Sequence, residues 1–221
     1  MKIIKYILVI ISAVIFAACS DEDESFAYGD FSYELVTYSG EGEIGSVFTF
    51  RSYNDSPLIT LNASNVKYPG MPVGQRLLLN YVVDDDLGGN CLTVTVKGLS
   101  KVNTDTISVL PQEKIDELKM EDVKLKSVWR TGNYLNIRCQ LLYTEKPRQM
   151  FLATTGIPDA SGRIDCYQIQ NLMDAHTYYW IETYFSYYIE PVWSVADCSS
   201  VRYHVNDLTY PDVKYYDFLK N

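Results

Sequence analysis

Two histidines, His176 and His204, are the only imidazole side chains among the 221 residues of this sequence. Catalysis by an activated serine or cysteine needs a base such as histidine within hydrogen-bond reach of the nucleophile. Neither histidine lies in a nucleophile motif, and the patterns G-x-S-x-G and H-E-x-x-H do not occur. The sequence therefore gives no support to a histidine-dependent hydrolase.

Carboxylates are the other residues that could catalyse a reaction or hold a metal. Glu182 and Glu190 lie in or beside one predicted strand, where eight residues span about 26 Å, so they cannot flank one glycosidic bond. Asp84, Asp85 and Asp86 invite a calcium site, but adjacent residues of an extended chain point to alternate sides. A solvated hairpin turn is the favoured interpretation there, with calcium as the alternative. We therefore expect a non-enzymatic protein with no metal site and no cofactor.

The chain begins with an apolar leader. Two lysines precede an apolar run over residues 7–18, which ends in the small residues Ala17 and Ala18. This is the pattern of a signal peptide that is removed on export. A retained membrane helix is the alternative, but the run is shorter than the roughly 20 apolar residues that span a bilayer. The sequence predicts a lipoprotein signal peptide over residues 1–18.

Cys19 follows those two alanines directly, and its thiol is the one group to which the sequence assigns a covalent modification. Small residues immediately before a cysteine resemble the lipobox of bacterial lipoproteins, although Phe16 stands where the lipobox more often has leucine. The resemblance implies that Cys19 becomes the first residue and carries acyl chains such as palmitate. Several acyl chains give stable membrane anchoring where one gives only marginal binding.

An acidic segment comes directly after the cysteine. It consists of Ser20, Asp21, Glu22, Asp23 and Glu24. The segment resembles the export signal of surface lipoproteins in one group of Gram-negative anaerobes. The resemblance implies a lipid-anchored outer-membrane protein that faces the cell surface, and a lipoprotein that faces the periplasm is the alternative. The same charges also suit a solvated tether over residues 19–29.

The charge balance excludes some partners. Removal of residues 1–18 leaves 203 residues with 17 basic and 28 acidic side chains, a net charge of −11. Nucleic-acid binding needs a basic surface that displaces counterions. Attraction to anionic lipid headgroups needs basic residues as well. We therefore expect no nucleic-acid partner, and we expect the acyl chains alone to supply the membrane contact.

The composition predicts an all-β protein, because 19 tyrosines accompany few strong helix formers. Short strands and turns over residues 30–110 predict a small, partly open barrel of the OB type, with its last strand at residues 102–109. Pro111 opens a predicted helical linker over residues 111–122. Six or seven strands with regularly spaced turns over residues 123–221 predict an immunoglobulin-like β-sandwich.

Three of the remaining cysteines, Cys139, Cys166 and Cys198, lie in the predicted sandwich. An exported protein can form disulfides, so a bridge from Cys166 to either of the other two is possible. The alternative is that the cysteines are small core residues.

Three short segments resemble the NigD-like lipoprotein family. They are residues 74–81, with the sequence GQRLLLNY, the pair Val128 and Trp129, and residues 132–137, with the sequence GNYLNI. The resemblance implies an amino-terminal OB-like domain and a carboxy-terminal β-sandwich behind a lipoprotein leader. It implies no catalytic activity. The family name comes from a bacteriocin gene cluster, so a role in bacteriocin immunity is one alternative function.

The sequence over residues 177–190 predicts a candidate ligand face. Alternate residues should point to opposite sides of a strand here. Thr177, Tyr179, Ile181, Thr183, Phe185, Tyr187 and Ile189 would form the core side. The wetter side would carry Tyr178, Trp180, Glu182, Tyr184 and Tyr188, together with Ser186 and Glu190.

Exposed aromatic patches of this kind mark recognition surfaces. Aromatic rings beside carboxylates could bind a glycan, and a protein partner is also open. Residues 210–219 or the first domain could instead cover the face. From these observations we expect a binding or accessory module of an envelope or nutrient-uptake system, with a glycan, peptide or protein partner. An immunity protein or a structural envelope lipoprotein is the alternative.

Overall fold

The computed structural model of the protein describes residues 31–220. The predicted signal peptide over residues 1–18, the lipidation site Cys19 and the acidic tether lie outside the described residues. Within them, the chain is built almost entirely of β-strands, as the composition predicts. Neither of the two helices in this part of the chain has the length and apolarity to cross a membrane.

The amino-terminal domain is a closed five-stranded barrel. Its strands are β1 (Ser32–Glu41), β2 (Ser46–Phe50), β3 (Ile59–Ala63), β4 (Arg76–Gly88) and β5 (Cys91–Lys101). The strand order is β1-β2-β3-β5-β4, and β4 pairs with β1 to close the barrel. Alternate side chains such as Phe48 and Leu61 point inward and are fully buried. The predicted OB-like barrel is confirmed.

The last predicted barrel strand, residues 102–109, lies elsewhere. It forms two short strands, β6 (Asn103–Thr106) and β7 (Ser108–Val109), one in each sheet of the second domain. The pairing of β1 with β4 leaves the barrel no free edge for a sixth strand. Ile107, between the two strands, is buried in the core of the second domain. The predicted boundary near residue 110 therefore comes several residues too late.

The carboxy-terminal domain is a sandwich of two sheets, as predicted. Its other strands are β8 (Lys124–Thr131), β9 (Tyr134–Thr144), β10 (Gln149–Thr154), β11 (Arg163–Asn171), β12 (Thr177–Tyr188), β13 (Ser200–His204) and β14 (Tyr215–Leu219). One sheet has the order β14-β13-β11-β10-β7 and the other has the order β6-β12-β9-β8. Inward side chains from both sheets, including Leu135, Ile137, Leu152 and Tyr203, form one buried cluster.

The helical linker predicted over residues 111–122 is helical only in α1 (Gln112–Asp116). Pro111 stands just before the helix, where its missing N–H costs nothing. Ile115 packs on Ala153 and Ile169 of the five-stranded sheet. Met120 then forms an isolated β-bridge with Gln170, so the segment is bound to the sandwich along its length. A second short helix, α2 (Glu190–Trp193), follows β12.

Arg76 joins the two domains. From the first position of β4, its Nε donates to Ser186 Oγ at 3.0 Å and its Nη2 to Asn136 Oδ1 at 3.1 Å. Its Nη1 donates to the carbonyl of Leu35 inside the barrel, and its guanidinium lies 4.5 Å from the centre of the Tyr134 ring. The side chain is buried, and burial lowers the pKa of Arg76 to about 10. The guanidinium stays charged at neutral pH, so this junction holds a buried cation through neutral oxygens.

The described cysteines form no disulfide. Cys139, Cys166 and Cys198 are buried free thiols, and Cys91 is half-buried and free. The possible bridges from Cys166 are therefore not formed, and these residues serve as small members of the core. Burial raises the pKa of the Cys139 and Cys166 thiols to about 12, which makes them poor nucleophiles at neutral pH.

Candidate functional site

The predicted ligand face lies on β12, on the outer side of the four-stranded sheet. The strand pairs with β9 along its length and with β6 only over its last four residues, from Phe185 to Tyr188. Residues 210–219, one predicted cover for this face, place β14 in the other sheet beside β13. The barrel, the other predicted cover, reaches this face at its junction end, where Arg76 contacts Ser186 and Asn136.

Strand β12 begins with a bulge. Thr177 pairs with Thr144, but Trp180 pairs with Leu142, so three steps on β12 match two on β9. The bulge shifts the alternation of side chains, as an extra residue does in a β-ladder. Tyr179, predicted for the core side, is 60% exposed and stacks on Tyr143 with 5.2 Å between ring centres. The predicted core side is wrong at this position.

Basic side chains cover the aromatic rings in the middle of the face. The ammonium of Lys124 lies 4.0 Å from the centre of the Trp180 ring. Arg138 forms an ion pair with Glu182 at 2.9 Å, and its guanidinium lies 5.8 Å from the centre of the Tyr184 ring. A cation over an aromatic ring is an attractive contact. A sugar that stacks on the covered face of Trp180 would have to displace Lys124.

The junction end of the face is buried. Ser186 is fully buried beneath Arg76, and Tyr188 packs on Tyr134 with 5.4 Å between ring centres. The predicted ligand residues are therefore divided. Tyr178, Trp180, Glu182 and Tyr184 lie on the end of the sheet away from the barrel, and Tyr188 lies beside the junction. We call the first end the distal face, and define it by Trp180, Glu182, Tyr184, Arg138 and Lys124.

Sequence patterns alone did not identify the two basic members of the distal face. Lys124 and Arg138 lie on β8 and β9, and they meet β12 because Lys124 pairs with Gln140, Arg138 with Tyr184 and Gln140 with Glu182. The alternation of β9, which buries Ile137 and Cys139, does place Arg138 on the outer side. The alternation of β9 therefore predicts that Arg138 lies on the outer side of the sheet. Only the pairing register of β9 with β12 shows that Arg138 lies beside Tyr184.

Neither histidine forms a catalytic arrangement. His204 Nε2 lies 2.7 Å from Asp165 Oδ1, and its ring stacks on Tyr167 with 4.7 Å between ring centres. His176 packs edge-on against Tyr178. Among residues 31–220, no serine or cysteine hydrogen bonds to either imidazole. The pair of His204 and Asp165 belongs to the outer surface of the five-stranded sheet.

The three consecutive aspartates are strand residues. Asp84 accepts a hydrogen bond from the Thr95 hydroxyl, and Asp86 accepts one from the N–H of Gly88. All three belong to β4 and are exposed. In the part of the chain that the structure describes, no group of three or more histidine, cysteine, aspartate or glutamate residues could hold a metal ion.

Comparison with known proteins supports the fold. No family model matches the chain, and no curated protein matches it. A crystal structure of a protein of unknown function from Bacteroides vulgatus superposes with a TM-score of 0.68 at 15% identity, over 86% of this chain and 90% of that one. A protein from Bacteroides fragilis described as a candidate lipoprotein gives 0.61 at 10% identity, over 86% and 98%.

A NigD-like immunity protein from Bacteroides caccae superposes with a TM-score of 0.56 at 15% identity, over 89% of this chain and 100% of that one. The fold is that of the NigD-like proteins. The resemblance drawn from residues 74–81 and 132–137 is thereby confirmed at the level of the fold. Both segments contribute to the junction of the two domains in this protein, since the first contains Arg76 and the second contains Asn136. None of these three proteins is described as an enzyme.

Proposed function

We propose that the protein is a non-enzymatic lipoprotein of the outer membrane, anchored by acyl chains on Cys19 and facing the cell surface. Its sandwich acts as a binding module of an envelope or nutrient-uptake system, and the distal face holds a protein or peptide partner. The barrel stands between the amino-terminal anchor and the sandwich in the sequence. The fold shared with a candidate lipoprotein from Bacteroides fragilis supports the anchored state.

The chemistry of the distal face is the observation that carries this proposal. Trp180 and Tyr184 are half-buried rings beside an arginine, and protein interfaces are enriched in these three residue types. Arg138 and Glu182 bring both signs of charge to the same patch, with 46% and 38% of their side chains exposed. Partial burial raises the pKa of Tyr184. A protein partner fits these features better than a glycan, because Lys124 covers one ring face that a sugar would need.

The double variant Trp180→Ala and Tyr184→Ala is expected to weaken partner capture by at least about tenfold, because aromatic anchors carry much of the energy of an interface. The measurement is photocrosslinking in living cells, with a photoreactive residue in place of Glu182. The adduct should be a discrete band that protease digestion removes. Each lost cation–π contact costs only about 0.5–1 kcal/mol at an exposed site, so the variant should remain folded.

Tyr215→Ala supplies the matched control. Tyr215 is an exposed aromatic residue on the other sheet, with Arg202 3.6 Å from the centre of its ring. Its loss should leave the adduct unchanged. An adduct that resists protease and is removed by glycosidases would indicate a glycan instead. Equal adduct yields in the wild type and the double variant would exclude the distal face as the binding site.

Bacteriocin immunity is the second candidate function. It is favoured by the fold shared with the NigD-like immunity protein from Bacteroides caccae. An immunity protein also binds a protein, so the same distal face would serve, and the partner would then be a toxin. A toxin gene beside the gene for this protein would favour immunity, and a transporter gene pair would favour uptake.

A further inference from the structure

A cleft of about 380 Å³ lies between the two sheets of the sandwich, on the side away from the distal face. It lies at the edge where β6 and β7 are short. Since β6 pairs only with the last four residues of β12, the first part of β12 has no strand on that side among the described residues. The inner side chains of that part, Ile181 and Thr183, are therefore half-buried and line the cleft.

Polar and apolar side chains line the cleft in about equal share, and the apolar ones form a continuous part of its wall. Leu141, Met150, Ile181 and Phe185, from both sheets, form the apolar part. A volume of about 380 Å³ holds roughly a dozen groups the size of a water molecule, at about 30 Å³ each. Ligand pockets of proteins commonly begin near 300 Å³. The space suits a small molecule with an apolar body.

Arg148 places a cation without a countercharge in this cleft. Its Nη2 donates to the carbonyl of Leu142 and lies 3.3 Å from Thr144 Oγ1. Its Nη1 is buried with no protein acceptor in hydrogen-bond reach. Desolvation lowers the pKa of Arg148. A guanidinium is not deprotonated in proteins, so the side chain is a cation. A buried donor that lacks an acceptor favours a ligand that supplies one, and a carboxylate supplies the strongest.

Asp105 also lines the cleft. Arg148 binds the carbonyl of Leu142, which pairs with Trp180, whereas Asp105 pairs with Tyr187. The lining of the cleft therefore contains both a cation, from Arg148, and a carboxylate, from Asp105.

We propose that this cleft binds a slender aliphatic monocarboxylate of about eight to ten carbons. The carboxylate pairs with the guanidinium of Arg148, and the alkyl chain lies along Met150, Ile181 and Phe185. Asp105 repels a second negative charge in the cleft, so the cleft selects monoacids over diacids. The site goes beyond the proposed function, because its walls are inner-side residues and the distal face is on the outer side.

Calorimetry with the full-length mature protein in lipid nanodiscs tests the site, with the heat from empty nanodiscs subtracted. Octanoate is expected to bind, and octanamide, which has the same shape without the charge, should bind at least about tenfold more weakly. Suberate, the matching diacid, should also bind about tenfold more weakly than octanoate, and Asp105→Asn should restore its binding. Failure of octanoate to bind at millimolar concentration, or equal binding of octanamide, would overturn the proposal.

Two variants separate the site from the fold. Arg148→Met should weaken octanoate binding at least about tenfold, while Lys146→Met, on the same exposed turn, should change it less than twofold. Since Arg148 also supports the turn through Leu142, Ile181→Trp provides a second variant that fills the cleft and keeps the guanidinium. It too should abolish binding. Octanoate binding that survives both variants would overturn the proposal, whereas Trp180→Ala with Tyr184→Ala should leave it unchanged.

Discussion

Replacement of Arg76 by alanine is expected to lower the free energy of unfolding by about 3 kcal/mol. Arg76 is 3% exposed and donates to Ser186 and Asn136 in the sandwich and to Leu35 and Thr37 in the barrel. A hydrogen bond from a charged group contributes about 1.5–3 kcal/mol, and a buried acceptor left without its donor costs about 1–3 kcal/mol. The desolvation cost of the guanidinium, which the variant no longer bears, offsets part of that sum.

Chemical denaturation of the folded chain measures this effect, with Lys97→Ala as the control. Lys97 is an exposed residue of the same barrel, so its loss should change the free energy of unfolding by no more than about 0.5 kcal/mol. We also expect Arg76→Ala to separate the unfolding of the barrel from that of the sandwich. A loss below about 1 kcal/mol with a single unchanged transition would show that Arg76 does not join the domains.

Once residues 1–18 have been removed, the variant Cys19→Ala is expected to lie almost completely in the soluble fraction instead of the membrane fraction. Without the thiol no acyl chain can be attached, and several acyl chains are what makes such anchoring stable. The net charge of −11 after Cys19 becomes the first residue offers no attraction to anionic headgroups that could replace them. Fractionation of cells followed by detection of the protein in each fraction provides the measurement.

Cys91→Ala is the matched control, because Cys91 is the least buried of the described cysteines. It should leave the protein in the membrane fraction. If Cys19→Ala had lost residues 1–18 in the usual way and still remained in the membrane through high salt and alkaline washing, another segment would have to be the anchor. That outcome would contradict the lipoprotein assignment and would leave the proposal for the cleft untouched.

Sequence patterns predicted the strands because the inward positions of a sheet need apolar side chains. Strand β2 illustrates this, with Phe48 and Phe50 buried and Thr49 between them half-buried. The resemblance to NigD-like proteins predicted both domains and their order. The predicted core side of β12 was wrong where the alternation of inward and outward side chains is interrupted. The bulge at the start of β12 adds a residue that no periodicity reveals, and it exposes Tyr179.

The junction and the cleft depend on contacts far apart in the sequence. Arg76 and Ser186 are 110 residues apart, and local patterns in β4 give no sign of that partner. Residues 102–109 join the sandwich because the pairing of β1 with β4 closes the barrel and leaves no edge for another strand. Arg148 is a candidate ligand-binding residue because its Nη1 is buried with no protein acceptor, and only the folded structure shows this. Pairing register and burial decide all three cases.

The proposed function depends on Cys19 as the acylated first residue of the mature protein. Mass spectrometry of the amino-terminal peptide, from protein extracted with its native membranes, tests this directly. The peptide should begin at Cys19, should lack residues 1–18, and should carry the added mass of acyl chains. An unmodified peptide that begins before Cys19, or one that contains a free Cys19 thiol, would contradict the anchored lipoprotein that we propose.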